Sequence, residues 1–246
     1  MSYQLSIVIP TYNEAQRIGA TLQSLSEYLD KQKINAEVMV LDADSPDGTA
    51  SEVAKYTNKF KSLRVVSMGP KPEGKFVKGL QVKKGMLGAK GKYVLFMDAD
   101  LATPLKYIEQ AIAELNSGKQ VAICVRNLQK SHKGLRRLIS GFGNTLVQTL
   151  LLPGIADTQC GFKAFTSEAV QVIFPLQTID SWGFDMEILA IARKKGYTIG
   201  LIDVPDWKDV KEGSKISGSS PIKASLQTFG DLLKIRWQLL RGKYKN

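Results

Sequence analysis

The chain has 246 residues, 43% of them hydrophobic, with 34 Lys and Arg against 23 Asp and Glu and a formal charge of +11. That is enough apolar chain for one substantial core, while a single histidine, His132, placed in a polar loop, and two cysteines, Cys124 and Cys160, argue against a His-based triad, a zinc site or a disulfide framework. The excess positive charge suits phosphate-rich partners or an anionic membrane surface; the cysteines read as reduced core thiols of a cytoplasmic protein, and neither a secretory leader nor a run of roughly 18 apolar residues is expected.

Leu5 to Pro10 is an apolar strand, and Ile18, Leu22, Leu25 and Leu29 follow at helical spacing. Val38 to Asp42, Leu63 to Ser67, Lys92 to Met97 and Gln120 to Val125 repeat the strand signal with helical stretches between them. This alternation predicts an α/β fold with a mostly parallel sheet covered on both faces. After Arg126 the pattern loosens into a basic loop, Lys130 to Arg137, and an apolar stretch from Phe142 to Ile155; this half is expected to hold the acceptor side. In the tail, Ile222, Leu226, Phe229, Leu233, Trp237 and Leu240 recur at steps of three or four beside Lys223, Lys234, Arg236, Arg241, Lys243 and Lys245. The organisation expected is therefore one domain over 1–220 and a basic amphipathic helix over 221–246, which either lies in a membrane interface or packs on the core.

Three strands end in polar residues. Pro10-Thr11-Tyr12-Asn13-Glu14 closes the first, Asp42-Ala43-Asp44-Ser45 the second, and Asp98-Ala99-Asp100 the fourth. In a parallel sheet these ends share one edge, where open α/β sheets bind ligands. A nucleotide suits that edge, with Tyr12 along a base and Glu14, Asp42 and Asp44 accepting hydrogen bonds from base N–H or ribose hydroxyls. Asp98 and Asp100 are two hard oxygen ligands one residue apart, a pattern for Mg²⁺ or Mn²⁺ completed by water and phosphate oxygens. The plainer alternative makes them caps of a helix opening at Thr103-Pro104, and makes Asn13 and Asp47 helix caps as well.

The ordered segments IVIPTYNE, DADSPDGT, KGLQVKKGM, FMDAD, DTQCGFKAF, GFDMEIL and VPDWKDVKEGSK resemble glycosyltransferase family 2, especially its dolichyl-phosphate β-glucosyltransferase branch, over about residues 4 to 216. The resemblance implies a GT-A fold, a nucleotide-diphosphate sugar donor, a Mg²⁺ or Mn²⁺ ion, and transfer with inversion to polyprenyl or dolichyl phosphate. By the same likeness Pro10, Tyr12, Glu14, Leu41, Asp42, Asp44, Lys78 and Ala99 contact the donor. Asp98 and Asp100 hold the metal-diphosphate, and Arg126, Arg137 and Lys215 face phosphates.

The chain departs from the family pattern in two places. Ala43 stands where Asp-Asp-Gly-Ser has a carboxylate, so Asp42 or Asp44 must read the base; Leu101-Ala102 replaces the x-Gln of mannosyl relatives, which favours a uridine donor and glucose. Whether a base is needed depends on the acceptor. A lipid phosphate is already an anionic nucleophile, whereas a sugar hydroxyl needs a carboxylate, for which Asp157 and Asp185 are the candidates; Glu187 reads as helix N-terminal charge. Arg126, Arg136, Arg137 and Lys163 are candidates for holding a second phosphate, and Trp182 and Trp207 either stack on a sugar or fill the core. The alternatives are a hydroxyl acceptor in a surface glycan, a GDP-mannose-using polyprenyl-phosphate mannosyltransferase, or an inactive nucleotide-sugar binding module. The partners expected are the nucleotide sugar, the lipid phosphate, and a membrane reached peripherally or through a separate membrane protein at its cytoplasmic face. No nucleic acid is expected, because the basic residues are scattered without interleaved aromatics.

Overall fold

The computed structural model describes residues 3–126, 145–208 and 221–245. The chain runs β1 (Leu5–Thr11), α1 (Ala15–Lys31), β2 (Ala36–Asp42), α2 (Thr49–Ala54), β3 (Leu63–Ser67), α3 (Lys78–Leu87), β4 (Tyr93–Met97), α4 (Tyr107–Asn116) and β5 (Val121–Arg126). After a helical stretch at 145–150 come β6 (Phe162–Thr166), α5 (Ser167–Ile173), α6 (Phe184–Lys194), β7 (Ile199–Val204) and α7 (Pro221–Leu240). The seven strands form one sheet in the order β3-β2-β1-β4-β6-β5-β7, in which only β6 runs antiparallel to its neighbours. The mostly parallel sheet expected from the alternation is present, and the chain reverses its direction of travel between β1 and β4. That is the switch point at which such sheets open a ligand crevice.

Both faces of the sheet are covered, as the near-continuous apolar strands require. Ile7, Ile9, Val38, Val40, Leu95 and Met97 point to the α1 and α4 side, while Val8, Met39, Leu41, Val94 and Phe96 point to the side of α3, α5, α6 and α7. On α1, Ile18, Leu22 and Leu25 are fully buried, each worth about 2 kcal/mol of apolar burial. α3 crosses β1 so closely that a Cβ on Gly85 would lie 2.4 Å from Val8 Cγ1, which explains a glycine inside a helix.

One expectation changes. The helix after Asp-x-Asp starts at Tyr107 rather than at Thr103-Pro104, so neither Asp98 nor Asp100 caps it; Asp100 Oδ1 instead accepts the Ala102 N–H at 3.0 Å within the turn. Of the two placements expected for the tail, packing on the core accounts for one face: Leu232, Ile235 and Tyr244 are buried in the same core cluster as α6. The stripe singled out in the sequence faces the other way. Phe229, Leu233, Trp237 and Leu240 are exposed, and the side chains of Ile222 and Leu226 lie outside the described residues.

Candidate active site at the β1 and β4 strand ends

The ends of β1 and β2 are locked to each other before any ligand arrives. Asp42, 3% exposed, accepts from Thr11 Oγ1 at 2.9 Å, Ser45 N at 2.9 Å and Ser45 Oγ at 2.6 Å. From α3, Gln81 Nε2 donates to the Thr11 and Leu41 carbonyls, both at 2.7 Å. Asp47 Oδ2 accepts the Ala15 N–H at 3.0 Å and Oδ1 accepts from Thr49, so this carboxylate ties the first residues of α1 and α2 together, although the N-cap positions themselves are Glu14 and Gly48. Asn13 takes φ 56 and donates its backbone N–H to Ser45 Oγ at 2.8 Å.

The departure from Asp-Asp-Gly-Ser has a local physical basis. Ala43 is 1% exposed, whereas Asp44 adopts φ 48, the left-handed conformation for which glycine is suited and Asp tolerated. Asp44 Oδ1 accepts from Ser67 Oγ at 2.6 Å, at the exposed end of β3. Across the crevice the Lys71 ammonium lies 4.7 Å from the Tyr12 ring centroid, and Glu14 pairs with Arg17 at 2.5 Å. Pro10 and Leu41 are register partners inside the sheet, and both are buried.

Asp98 and Asp100 project from the end of β4. The Asp98 N–H donates to the Gly161 carbonyl at 3.0 Å, and a Cβ at Gly161 would lie 1.9 Å from Asp98 Oδ2; the carboxylate occupies the space a side chain would fill. Lys78 Nζ sits 2.5 Å from Asp98 Oδ1. Burial opposes that lysine's charge, but Asp98 and Asp185 outweigh it and hold Lys78 above its ordinary value. Ala99 anchors the turn to α1, its carbonyl accepting from Thr21 Oγ1 at 2.6 Å. Burial, then the neighbouring Asp98 charge, pushes the Asp100 carboxyl above the usual carboxylate range. Two crowded carboxylates, one cradled by a glycine, fit a hard divalent cation. Among the described residues no group of three or more His, Cys, Asp or Glu gathers, so such an ion would draw its other ligands from phosphate and water.

Beyond Asp98, on the β5 and β7 side, a cavity of about 150 Å³ is lined by Asp98, Asp100, Thr103, Arg126, Gly161 and Trp207. Its back wall is fixed: Arg126 donates through Nε and Nη2 to Asp157 at 2.6 and 3.0 Å, and Asp157 also accepts the Arg126 N–H at 3.1 Å. The guanidinium stands 5.1 Å from the Trp207 ring centroid. Arg126 therefore borders the cavity with its charge shared. Trp207 is both wall and core contact, and Trp182, 40% exposed, instead packs edge-on against Phe76 with the Lys78 ammonium 5.1 Å from its ring.

Several acidic and basic residues proposed above for contact with substrate turn inward. Asp157 is 2% exposed and occupied by Arg126; burial opposes its charge, but the Arg126 hydrogen bonds and charge hold it below the usual carboxylate range. Asp185, 1% exposed, pairs with Lys163, 0% exposed, whose ammonium also donates to the Cys160 carbonyl at 2.6 Å. Burial pushes the Asp185 carboxyl up against the opposing charges of Lys163 and Lys78. All three side chains are thus engaged with protein partners: Asp157 with Arg126, and Asp185 with Lys163. Glu187 is more than a helix-terminal charge: it accepts from Thr178 N, Thr178 Oγ1, Ile179 N and Tyr244 Oη. Arg136, Arg137, His132 and Lys215 lie outside the described residues.

Gln81, Thr21, Lys71 and Gly161 were not singled out from the sequence. Gln81 and Gly161 did leave a trace, a lone amide on the buried face of α3 and a glycine just before β6. Both cysteines are buried free thiols, and burial pushes Cys160 up to about 11.

The family model described as glycosyl transferase family 2 matches residues 6–174. A dolichyl-phosphate beta-glucosyltransferase from Dictyostelium discoideum is 34% identical over 256 residues, covering 98% of this chain and 76% of its own. Its human counterpart is 35% identical, covering 98% and 78%. Among solved structures, glucosyl-3-phosphoglycerate synthase from Mycobacterium tuberculosis, in complex with Mn²⁺, UDP and glucosyl-3-phosphoglycerate, superposes with a TM-score of 0.68 at 20% identity, over 95% of this chain and 80% of that one. Mannosyl-3-phosphoglycerate synthase from Rubrobacter xylanophilus gives 0.71 at 15% identity, over 99% and 76%.

Proposed function

Because the chain belongs to glycosyl transferase family 2, and is a glycosyltransferase of GT-A fold, we propose that it transfers glucose from UDP-glucose to dolichyl or another polyprenyl phosphate. The observation that carries the donor half is the convergence of Tyr12 and Glu14, Asp42 and Asp44, and Asp98 and Asp100 on the β1/β4 switch point. Tyr12 and the β2 turn receive the nucleoside, with Asp44 the acidic side chain open to it. Lys78 and the Asp-x-Asp pair take the diphosphate. A bound Mg²⁺ or Mn²⁺ would be held by Asp98 and Asp100 and would supply Lewis-acid stabilisation of charge on the leaving phosphate. Uridine is favoured over guanosine by Leu101-Ala102 after Asp-x-Asp and by the UDP in the mycobacterial enzyme of like fold.

The acceptor half rests on the fate of the two predicted bases. Asp157 and Asp185 are buried in ion pairs, which suits a nucleophile with no proton to lose. An oxygen of the lipid phosphate attacks the anomeric carbon from the side opposite the diphosphate, the carbon–oxygen bond to the β-phosphate breaks, and UDP leaves with its electron pair. The chain's own part is to orient the two phosphates, exclude water from the cavity by Arg126 and Trp207, and hold Lys78 charged beside the leaving group. The lipid names of the relatives point to the same acceptor and to work at a membrane, and two buried free thiols suit its cytoplasmic side.

The test is product formation from UDP-glucose, UDP-galactose and GDP-mannose with short and long polyprenyl phosphates, in Mn²⁺, Mg²⁺ or EDTA. Glucosyl transfer from UDP-glucose to the lipid phosphate, abolished by EDTA and by Asp100→Asn in a folded protein, is expected. Preference for GDP-mannose, or EDTA-resistant transfer, overturns the donor and metal assignments respectively.

A further inference from the structure

α7 has two apolar faces, and the core accounts for only one. At about 100° per residue, Asp231, Leu232, Ile235, Gln238 and Leu239 share the face turned to the body. Leu232 and Ile235 are buried there, and Asp231 accepts from Ser181 Oγ at 3.1 Å, next to Trp182. Phe229, Leu233, Trp237 and Leu240 fall within an arc of about 80° on the opposite side. They are 44%, 48%, 51% and 71% exposed, although each is a large apolar residue. Single exposed apolar residues are ordinary, but an aligned row on a helix whose other side is already packed calls for an occupant.

The charges beside the row say which occupant. Arg236 flanks one edge and Lys234 and Arg241 the other, with Lys243 and Lys245 just past the helix end, all exposed. The Arg241 guanidinium lies 3.8 Å from the Trp237 ring centroid, so the cation and the indole present one amphipathic unit. An apolar centre with basic residues on both margins complements acyl chains beneath anionic headgroups: the row enters the headgroup boundary and the long basic side chains reach back to phosphate. A second copy of the same face would bring these cations against each other and is disfavoured.

We propose that the outer face of α7 is a docking surface for an anionic phospholipid bilayer, with Phe229, Leu233, Trp237 and Leu240 inserted and Lys234, Arg236 and Arg241 on the headgroups. This deepens the lipid-phosphate reading and rests on it for its purpose. The inner face of the same helix holds Ser181 through Asp231, one residue from Trp182, which stands over Lys78; docking therefore brings the bilayer to the element bordering the Asp98 cleft.

The experiment is sedimentation of the full chain with vesicles of phosphatidylcholine, with or without phosphatidylserine, at low and high salt. Binding is expected to be strongest with phosphatidylserine at low salt and to weaken as salt screens the surface charge. Leu233→Glu with Trp237→Glu should reduce it roughly tenfold or more, and Lys234→Glu with Arg241→Glu should do so at low salt only. Both variants should keep glucosyl transfer to a water-soluble short-chain phosphate, which reports an intact fold and site. No binding of the unaltered chain to phosphatidylserine vesicles at low salt overturns the proposal, as does undiminished binding by the Leu233/Trp237 variant. A dimer in solution that the same variant dissociates also overturns it, in favour of a second copy. Vesicle binding that the variants lose, in a protein that transfers no sugar to any acceptor, supports the docking surface and defeats the lipid-phosphate reading.

Discussion

Lys78 Nζ lies 2.5 Å from Asp98 Oδ1, and the two residues come from elements that the sheet brings together only at its β1/β4 crevice, the N-terminus of α3 and the end of β4. Asp98 and Asp100 repel each other; Lys78, further held by Asp185, offsets them, and the Arg17 charge also acts on Asp100. Lys78→Met is expected to weaken UDP binding in Mn²⁺ by about tenfold or more, the scale of a lost charged hydrogen bond, while Lys78→Arg restores part of it. Calorimetric titration decides this; equal affinities would remove Lys78 from the donor site.

Gly161 is the second constraint on Asp98. With a Cβ 1.9 Å from Asp98 Oδ2, Gly161→Ala must displace the carboxylate. Misplacement on that scale is expected to cost roughly a hundredfold in kcat/KM with little change in melting temperature, since Asp98 can swing toward the open cleft. Initial rates and a thermal melt on one preparation check it, and full activity would show that Asp98 need not sit where it does.

Arg126 and Asp157 tie the end of β5 to the turn before β6, and the Asp157 carboxyl is held below its usual range in spite of burial. For a carboxyl lowered on folding, the stability it contributes is complete above its unfolded value of about 3.9 and is lost as the pH falls through the folded value. Asp157→Asn should therefore destabilise the protein by about 3 kcal/mol at neutral pH, and the gap should close as the pH falls below about 4. Urea denaturation across that range measures it; a gap that stays constant down to the acid transition speaks against the ion pair.

Tyr244, almost the last residue, is 1% exposed and donates to Glu187 Oε1 at 2.7 Å. The same carboxylate organises Thr178 and Ile179, whose loop meets α3 where Gly79 N–H donates to the Asp180 carbonyl at 2.8 Å. Tyr244→Phe should cost about 1 to 2 kcal/mol, seen as a drop of several degrees in Tm, with UDP affinity unchanged. Deleting residues from Pro221 onward, by contrast, should cost the fold itself, because Leu232 and Ile235 leave the core with it. An undiminished melting temperature for Tyr244→Phe would mean that Glu187 is satisfied without the phenol.

The sequence by itself determined the mostly parallel sheet and the three polar strand ends, because both are written in local patterns. An apolar run of five or six residues makes a strand, its polar sequel makes an edge, and parallel order gathers the edges. The turn at Asp47-Gly48-Thr49 was legible too, where the Asp47 carboxylate accepts the Thr49 N–H. What the tertiary structure decided is which charges face the cleft. Asp157, Lys163 and Asp185 look like Asp98 and Lys78 in a string of letters, yet long-range packing pairs the first three with one another or with Arg126 inside the core and leaves the last two at the crevice. The same holds for α7, whose periodicity shows one apolar stripe clearly. Only the packing of Leu232 and Ile235 reveals that a second face is the buried one, since burial depends on what lies across the interface and not on the spacing of the helix that presents it.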